Sequence, residues 1–453
     1  MTRPGPMEIR DPLHVFVRLD EQEQAALNSP PFQRLRSIHQ LSLTYLVYPG
    51  ATHRRFEHSL GVMELATRIF DVVTNPDNVM NDAAREVIPR DSNQFGYWQR
   101  VLRLAALFHD VGHLPFSHAA EDELLPDDVD HEAISRAYIM SDEMRAIWEA
   151  MEPPVRPDHI ALLAVGPVAG ETMRPWQGIL SEIIAGDVFG ADRMDYLLRD
   201  SLHTGVAYGR FDHHRLIDTL RILPGSPAGP DGDEQVAREP TLGITEGGVQ
   251  SAEALLLARY FSFSQVYFHR ARRIYDIHLK DFLREWLKDK GGLLPHEPAE
   301  HIKLTDAEVM TGISEAARGS EEPLRTLARR IVERGQRFTV AFSPSPQERA
   351  INVDAGKQVA AALSQRYAPE AVRHDRYSKQ TAPFDFPVLR RDDQVVSSTG
   401  MSEVLGEVPT ARFDYVFLDQ QHTADAKAWL TDQRRAELIQ PPETNEADDD
   451  ETE

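Results

Sequence analysis

LAALFHDVGHLPFSH, residues 104–118, joins an apolar run at helical spacing to three histidines that a hydrophobic core does not normally hold. With the preceding YWQRVLR, residues 97–103, it predicts a helix that reaches the doublet His109-Asp110 and breaks near Gly112. If the helix continues far enough, the i, i+4 spacing puts His109 and His113 on one face. Buried side chains that can carry charge are costly without partners, so the stretch indicates a functional site inside a helical core.

Two other segments carry residues of the same chemical kind. FEHSLGVMELATRIFDVV, residues 56–73, holds His58 and predicts a helix whose apolar side is formed by Leu60, Met63, Ala66 and Ile69. ILSEIIAGDVFGADRMDYLLRD, residues 179–200, places Asp192 on or near a helix start, where a lone aspartate is usually a cap. Imidazole and carboxylate ligands together suit Mn²⁺, Fe²⁺ or Zn²⁺ better than Mg²⁺. The series His58, His109, Asp110 and Asp192 therefore predicts a site for one divalent metal, with Mg²⁺ the less favoured ion.

The composition restricts the class of protein. The chain has 453 residues, of which 41% are hydrophobic, which is typical of a globular protein with a deep core. It has no cysteine, which excludes disulfides, thiolate metal sites and cysteine nucleophiles. No apolar run approaches the roughly 20 residues that span a bilayer, and no signal-peptide core is present, so we expect a cytoplasmic protein without membrane contact.

The charge distribution bears on possible partners. The formal net charge is −23, and residues 441–453 contain seven carboxylates and no cation, so we expect residues 439–453 to form a disordered acidic tail. Such a charge disfavours long nucleic acid unless a basic channel is present. The basic residues near the candidate site are mostly arginines, and they fit a small phosphorylated substrate better: Arg54, Arg55, Arg193, Arg199, Arg270, Arg272 and Arg273.

The patterning predicts a mostly α fold with a helical core over residues 1–335 and a small α+β subdomain over residues 336–438. In the core, REPTLGITEGG (238–248) predicts a short strand pair and residues 249–287 predict one long helix, followed by helices near 305–318 and 323–334. In the subdomain we expect strands at RFTVAF (337–342), FDFPVL (384–389) and RFDYVFL (412–418). Helices are predicted at 353–367 and 422–438.

Three blocks together resemble the signature of HD-domain phosphohydrolases: YPGATHRRFEHSLGVMELA (48–66), ALFHDVGHLPFSH (106–118) and DVFGADRMDYLLRD (187–200). The resemblance runs from about residue 9 to 287 and is strongest to the dNTP triphosphohydrolase branch, which includes bacterial dGTPases and the vertebrate SAM-and-HD-domain enzyme. It implies a helical HD-domain core, metal ligation by His58, His109, Asp110 and Asp192, and release of deoxynucleoside and inorganic triphosphate from a dNTP. It also implies a homo-oligomer, whether dimer, tetramer or hexamer, and allows a second Mg²⁺ bound with the triphosphate.

The resemblance assigns acid–base roles to the residues after the doublet. His118 matches the general acid for the 5′-oxygen leaving group, and Glu121 and His131 match groups that orient it. His113 would contact phosphate or the attacking water. The chemistry is consistent, because a histidine with a pKa near 6.5 can donate a proton at neutral pH and a carboxylate partner holds its tautomer. The alternative for His131 is an ordinary helix-start residue.

Substrate contacts follow from the same resemblance. Arg55 and Arg193 would bind phosphate, Arg193 replacing the family's usual lysine, unless they pair with surface carboxylates. Tyr196, Asp200 and Gln40 match positions at the sugar, with Asp200 near the 3′-hydroxyl. Tyr267 matches a base-stacking tyrosine, although aromatic residues on a helix more often belong to the core. Phe268 replaces a glutamine of the vertebrate enzyme and leaves the base preference open.

Two alternatives to dNTP hydrolysis stay open at this point. The metal site alone does not distinguish a dNTP triphosphohydrolase from another HD-type nucleotide phosphatase, phosphodiesterase or nuclease. A non-catalytic nucleotide sensor is a further alternative, although the presence of every metal-ligand and acid–base candidate disfavours it.

Overall fold

The computed structural model describes residues 6–117, 121–225, 239–335, 337–377, 384–409 and 411–440, and most of these residues are helical. The predicted mostly α fold with C-terminal α+β elements is confirmed. In the first part of the chain the α-helices are Glu21–Leu27, Pro30–Arg34, Arg55–Thr74, Asp82–Val87, Ser92–Phe108, Glu121–Leu124, His131–Met140, Asp142–Glu149, Pro157–Val165, Pro175–Ala185, Ala191–Thr204 and His213–Thr219. They continue with Val249–Ser262, Arg270–Leu287, Pro298–His301, Asp306–Arg318, Leu324–Val332, Pro346–Ile351, Ala355–Tyr367, Glu403–Glu407, Thr423–Trp429 and Asp432–Leu438.

The helix Arg55–Thr74 lies at the centre of the main core, between Ser92–Phe108 and Ala191–Thr204. Its predicted apolar side is buried, because Leu60, Met63, Ala66 and Ile69 are all at most 2% exposed. Each of these three helices also carries at least one of the predicted metal ligands, at its start or end or in its buried face. The packing of the core therefore sets the positions of the site residues.

The helix before the doublet begins at the side-chain cap of Asp91 and ends at Phe108, with His109 as its C-cap. The suggestion that His109 and His113 share a helical face is therefore wrong, because the chain leaves the helix at His109 and turns. The turn brings Gly112 against the helix His131–Met140, where a Cβ on residue 112 would lie 2.3 Å from the backbone nitrogen of Ser135, so only glycine allows this close approach.

The strands form three small sheets in the described part of the chain. Met7–Asp11 and Val15–Leu19 form an antiparallel pair. A four-stranded sheet has the order Leu220–Pro224, Pro240–Thr245, Pro387–Leu389 and Val395–Ser397, with the middle pair parallel. The strand pair predicted within 238–248 is wrong, since that segment supplies one strand, which pairs with Leu220–Pro224.

The third sheet is antiparallel, and Phe413–Asp419 lies between Phe338–Phe342 and Val372–Tyr377. The predicted strand at FDFPVL does not join this sheet, because Phe386 and Val388 are buried in the main core. The predicted helix 422–438 is two helices, Thr423–Trp429 and Asp432–Leu438. The domain division at 335/336 stays a prediction, and the tail from residue 441 lies outside the described residues.

The predicted single helix over 249–287 is interrupted at the site. A π-helical turn, Phe263–Tyr267, follows the first helix, and a new helix begins at Arg270 with a cap from His269. Packing explains the interruption. Phe268 is 7% exposed, and its ring centroid lies 4.9 Å from that of Tyr377 and 4.7 Å from that of Phe413. None of the described helices is long and apolar enough to cross a membrane.

Candidate metal centre and substrate pocket

The four predicted metal ligands converge on one point. His58 Nε2 lies 3.0 Å from Asp192 Oδ1 and 3.6 Å from Asp110 Oδ2. His109 Nε2 lies 3.4 Å from Asp110 Oδ1 and 3.6 Å from Asp192 Oδ1. We call His58, His109, Asp110 and Asp192 the four-residue cluster. Residues more than 130 positions apart in sequence thus present two imidazoles and two carboxylates to a shared centre.

The two imidazoles have their outer nitrogens fixed. His58 Nδ1 donates to Asp195 Oδ2 at 2.9 Å, and His109 Nδ1 donates to the Ala106 carbonyl at 2.8 Å. Both Nε2 atoms therefore point into the cluster, which is how metal-binding histidines are usually held. Within the described part of the chain, His109 Nε2 is buried and makes no hydrogen bond. Its nearest carboxylate oxygens among the described residues, at 3.4 and 3.6 Å, lie outside hydrogen-bond geometry, so the atom is available to bind an added cation.

The charges around the four-residue cluster favour the binding of a cation. Burial alone would lower the pKa of His58, but hydrogen bonds to Asp192 and Asp195 outweigh burial and raise that pKa to about 10. Burial favours the protonated form of Asp110, yet His109 and Arg55 hold the pKa of this carboxyl well below its usual range. Two ionised carboxylates thus face the centre, and a divalent cation binding there would displace the Nε2 proton of His58.

The residues present fit a divalent cation. The four-residue cluster combines nitrogen and oxygen donors, and the ligand atoms of His58, His109 and Asp110 lie within 4.8 Å of one another. The buried Nε2 of His109, which makes no hydrogen bond within the described residues, supplies an independent indication. This part of the molecule is therefore a His/Asp cluster that could hold a metal.

A buried ion-pair network lies behind His58 and was not predicted from the sequence. Asp195 receives hydrogen bonds from His58, from His14 Nε2 at 2.7 Å and from Arg199 at 2.8 and 2.9 Å. Arg199 also contacts Asp11 at 2.9 Å, so it is committed to this network and not to substrate phosphate. A signal for Asp195 exists in the sequence: Gly61 has no side chain, and a Cβ there would lie 1.9 Å from Asp195 Oδ1.

Arg55 connects the cluster to the loop after the doublet. Its Nη1 donates to Asp110 Oδ2 and its Nε donates to Ser117 Oγ at 3.0 Å. Ser117 and Phe116 have φ angles of 57° and 58°, which are costly for residues other than glycine. Asp306, also missed from the sequence, holds this loop by accepting from the Phe116 amide at 2.7 Å and from His39. The strained loop is therefore held from two sides.

His113 and His131 form a parallel pair beside the cluster, with ring centroids 4.0 Å apart and planes 15° apart. His131 Nδ1 donates to Glu121 Oε1 at 2.5 Å; burial lowers the pKa of His131, but this bond outweighs burial and raises it. Burial and the charge of Arg55 hold the pKa of His113 well below its usual range. Glu121 and His131, both predicted to orient His118, thus contact each other, whereas His118 lies outside the described residues, so the predicted orienting role stays a prediction.

A second group of possible metal ligands contains Asp110, His113 and His131. A histidine binds metal in the plane of its ring, and two rings stacked with centroids 4.0 Å apart and planes only 15° apart are poorly oriented to share one ion. The present ring positions therefore suit contacts to phosphate better than shared ligation of one ion.

The predicted sugar contacts meet at a second polar centre. Asp200 Oδ2 accepts from Tyr267 Oη at 2.5 Å, and Asp200 Oδ1 accepts from His53 Nε2 at 2.7 Å. We call His53, Asp200 and Tyr267 the Asp200 triad. His53 was not predicted from the sequence. The ring of Tyr196 lies 6.1 Å from that of Tyr267 in an edge-on arrangement. Gln40 is tied to the same region, because its backbone N–H donates to the His53 carbonyl at 3.1 Å.

The predicted phosphate-binding arginines differ in their present partners. Arg55 is bound to a carboxylate of the cluster, as described above. Arg193 donates to the Gly186 carbonyl at 3.3 Å and lies 3.8 Å from Asp187, and its buried Nε has no hydrogen-bond partner among the described residues. Arg273 is committed to Asp375 at 2.8 and 2.9 Å and is not a free phosphate ligand.

Comparison with known proteins agrees with this geometry. The HD domain family matches residues 55–197, and the HD associated region matches residues 211–351. The uncharacterized protein YwfO of Bacillus subtilis is 30% identical over 355 residues, covering 75% of this chain and 72% of that protein. Deoxynucleoside triphosphate triphosphohydrolase SAMHD1 of Gallus gallus is 32% identical over 235 residues, which are 47% of this chain and 36% of that protein.

A solved structure extends the likeness to nearly the whole chain. A hypothetical protein from Aquifex aeolicus superposes with a TM-score of 0.72 at 29% identity, covering 94% of this chain and all of that one. The HD domain match contains the four-residue cluster, Arg55 and Asp195, so the matched region and the converging side chains coincide. The chain belongs to the HD-domain phosphohydrolase superfamily and resembles its dNTP triphosphohydrolase branch.

Proposed function

We propose that this protein is a metal-dependent dNTP triphosphohydrolase, which releases a deoxynucleoside and inorganic triphosphate. One observation carries the proposal: the helix Ala191–Thr204 supplies a residue to each of two neighbouring centres that differ in chemistry. Asp192 in its first turn belongs to the four-residue cluster, and Asp200, two turns later, belongs to the Asp200 triad. The first centre suits a phosphate group and the second suits a sugar hydroxyl.

His58, His109, Asp110 and Asp192 would hold the cation, with Mn²⁺, Fe²⁺ or Zn²⁺ favoured over Mg²⁺. When bound, the cation neutralises phosphate charge and lowers the pKa of water near the phosphorus. Arg55 and Arg193 would hold phosphate oxygens with their planar guanidinium groups. A second Mg²⁺ accompanying the triphosphate is part of the proposal.

Proton delivery to the 5′-oxygen is assigned to the histidines after the doublet. The Glu121 carboxylate fixes the tautomer of His131 and favours its charged form, so His131 can hold a proton at neutral pH. His113 has its pKa lowered by burial and by Arg55, and a neutral imidazole there can accept a proton from water or contact phosphate. The role of His118 as the direct acid rests on the family resemblance.

At the other end, Asp200 would accept a hydrogen bond from the 3′-hydroxyl, and Tyr196 and Gln40 would line the sugar. Tyr267 would contact the base or sugar with its ring while its hydroxyl stays bound to Asp200. Phe268 packs away in the core and offers no hydrogen bond to a base edge, which favours loose base selection. A homo-oligomer, whether dimer, tetramer or hexamer, is proposed from the resemblance.

The test is hydrolysis of each dNTP with Mn²⁺, with the products separated and identified and metal content measured on the same sample. We expect intact inorganic triphosphate and deoxynucleoside in equal amounts. Deoxynucleoside monophosphate with pyrophosphate would contradict the proposed cleavage of the bond between the α-phosphorus and the 5′-oxygen. A parallel panel of monophosphates, cyclic nucleotides and single-stranded DNA tests the alternatives, and a metal-free protein that binds dNTP unchanged would indicate a sensor.

A further inference from the structure

We propose that His53 is a positioning residue that holds Asp200 in place to recognise the 3′-hydroxyl of the substrate sugar, and so makes the protein discriminate between 3′-hydroxyl and 3′-deoxy nucleotides. This inference rests on the proposed function, because it deepens the role of Asp200. It concerns a residue outside the four-residue cluster.

The contacts of Asp200 carry the argument. The carboxylate is 4% exposed and is held at both oxygens, by His53 Nε2 at 2.7 Å and by Tyr267 Oη at 2.5 Å. These donors come from separate elements: the loop before the helix Arg55–Thr74, and the π-helical turn Phe263–Tyr267. A carboxylate fixed by two donors cannot rotate away, and each oxygen retains a lone pair for a further donor. A sugar hydroxyl is such a donor.

The surroundings of His53 favour a directed hydrogen bond over simple filling of space. His53 is 2% exposed, and its Nδ1 is buried without a hydrogen-bond partner in the described part of the chain. Among the described residues, the side chain of His53 therefore hydrogen-bonds to Asp200 alone. The ring of His203 stacks on it at 4.4 Å, with planes 17° apart, but makes no hydrogen bond to Asp200. His203 therefore shares the packing of His53 without its connection to the triad.

This difference between the two rings gives a matched experiment. The substrates are dATP and 2′,3′-dideoxy-ATP, which differ only by the 3′-hydroxyl. A hydrogen bond to a charged group contributes about 1.5–3 kcal/mol, so the unmodified protein should prefer dATP by roughly 10–100-fold in kcat/KM. His53→Ala should lower that preference to within about threefold, mainly through a higher KM for dATP, because Asp200 loses one of its two anchors.

The controls separate positioning from structure. His53→Gln places an amide N–H where Nε2 lies and should restore most of the preference. His203→Ala removes the stacking partner and should leave the preference for dATP unchanged, even if both substrates are hydrolysed more slowly. Equal losses for dATP and dideoxy-ATP in His53→Ala, or an equal change of preference in His203→Ala, would overturn the assignment of His53.

Failure of the proposed function has a different signature. If the unmodified protein hydrolyses neither nucleotide, the proposed activity is wrong, and the same comparison is made on binding of dATP and dideoxy-ATP by calorimetry. A preference for dATP that is lost in His53→Ala would still support the role of His53. An unmodified protein that binds both equally, or binds neither, would overturn it.

Discussion

The four-residue cluster and the Asp200 triad share the helix Ala191–Thr204, which supplies Asp192 to the first and Asp200 to the second, yet the two sites differ in how their carboxylates are paired. In the triad, both oxygens of Asp200 have donors from the protein itself. In the cluster, the carboxylates of Asp110 and Asp192 face the imidazoles of His58 and His109. The Nε2 atom of His109 is buried without a hydrogen bond among the described residues. The protein thus supplies a donor to each oxygen of Asp200, whereas His58, His109 and Asp110 of the cluster line a centre that could hold a cation. Changes in the cluster should therefore affect metal binding, and changes in the triad should affect substrate choice.

The largest effect is expected for His109→Ala. Its outer nitrogen contacts only a carbonyl of its own helix, so the fold should tolerate the change, while the cluster loses a ligand. Metal content should fall from about one ion per chain to near zero. Turnover should fall roughly 10³-fold or more, because a catalytic metal lowers the barrier by several kcal/mol. Elemental analysis with a rate assay checks this, and His214→Ala, an exposed histidine elsewhere, serves as the control. Retained metal and turnover would remove His109 from the centre.

Asp195→Asn tests whether the support behind His58 belongs to the metal site. Breaking this buried network leaves the Arg199 guanidinium short of a partner and should cost about 3–5 kcal/mol of unfolding free energy. Loss of a carboxylate behind a metal-binding histidine typically weakens metal affinity about 10–100-fold. Arg199→Met is the comparison: it disturbs the same ion pair but keeps the His58–Asp195 bond, so stability should fall while metal affinity falls less. Urea unfolding and metal titration distinguish the two, and equal affinity losses would contradict a specific role for Asp195.

A second fully buried histidine sharpens the contrast with His58. Burial and the neighbouring Arg34 lower the pKa of His301 to about 2, whereas carboxylates raise that of His58. Because the unfolded chain binds a proton near pH 6.5 and folded His301 does not, the protein should lose stability as the pH falls below 6.5. At pH 5 the loss is about 2 kcal/mol from this residue. Urea unfolding at pH 7 and pH 5 checks this, and His301→Gln should show a smaller difference; an identical pH dependence would contradict it.

The smallest effect is expected for Tyr267→Phe. The variant keeps the aromatic ring and removes the hydroxyl that donates to Asp200, while His53 still holds the other oxygen. We expect kcat/KM for dATP to fall about tenfold, with little change in metal content, since a hydrogen bond to a charged group contributes about 1.5 kcal/mol at the lower limit. Steady-state kinetics and elemental analysis test this. A loss of metal would mean that the two regions are not independent.

The convergence of the cluster could be predicted because its three sequence blocks together resemble those of HD-domain phosphohydrolases, which implies a shared ligand set. Helical periodicity alone places these residues near helix starts, helix ends or buried faces and does not bring them together. His53 and Asp195 could not be predicted in the same way. Their partners lie 147 and 137 residues away, and no local pattern marks a buried hydrogen bond across such a distance. Gly61 was the available clue for Asp195, since a glycine inside an apolar helix face often marks a close contact.

Two of the errors in the fold have a common physical cause. The residues 249–287 have continuous helical patterning, but packing of Phe268 against Tyr377 and Phe413 interrupts the helix at the pocket. The strand Pro387–Leu389 has ordinary strand character, and its choice of sheet depends on a parallel pairing with Pro240–Thr245. Both outcomes depend on segments more than 100 residues away, which local propensity does not contain.

Hydrolysis of dATP in water enriched in ¹⁸O, by protein loaded with one equivalent of Mn²⁺, tests the central claim most directly. Attack of water at the α-phosphorus places one labelled oxygen in inorganic triphosphate and none in deoxyadenosine, and mass spectrometry measures both. We expect the label in intact triphosphate. Label in deoxyadenosine, or in orthophosphate or a nucleoside monophosphate instead of triphosphate, would contradict the proposed reaction.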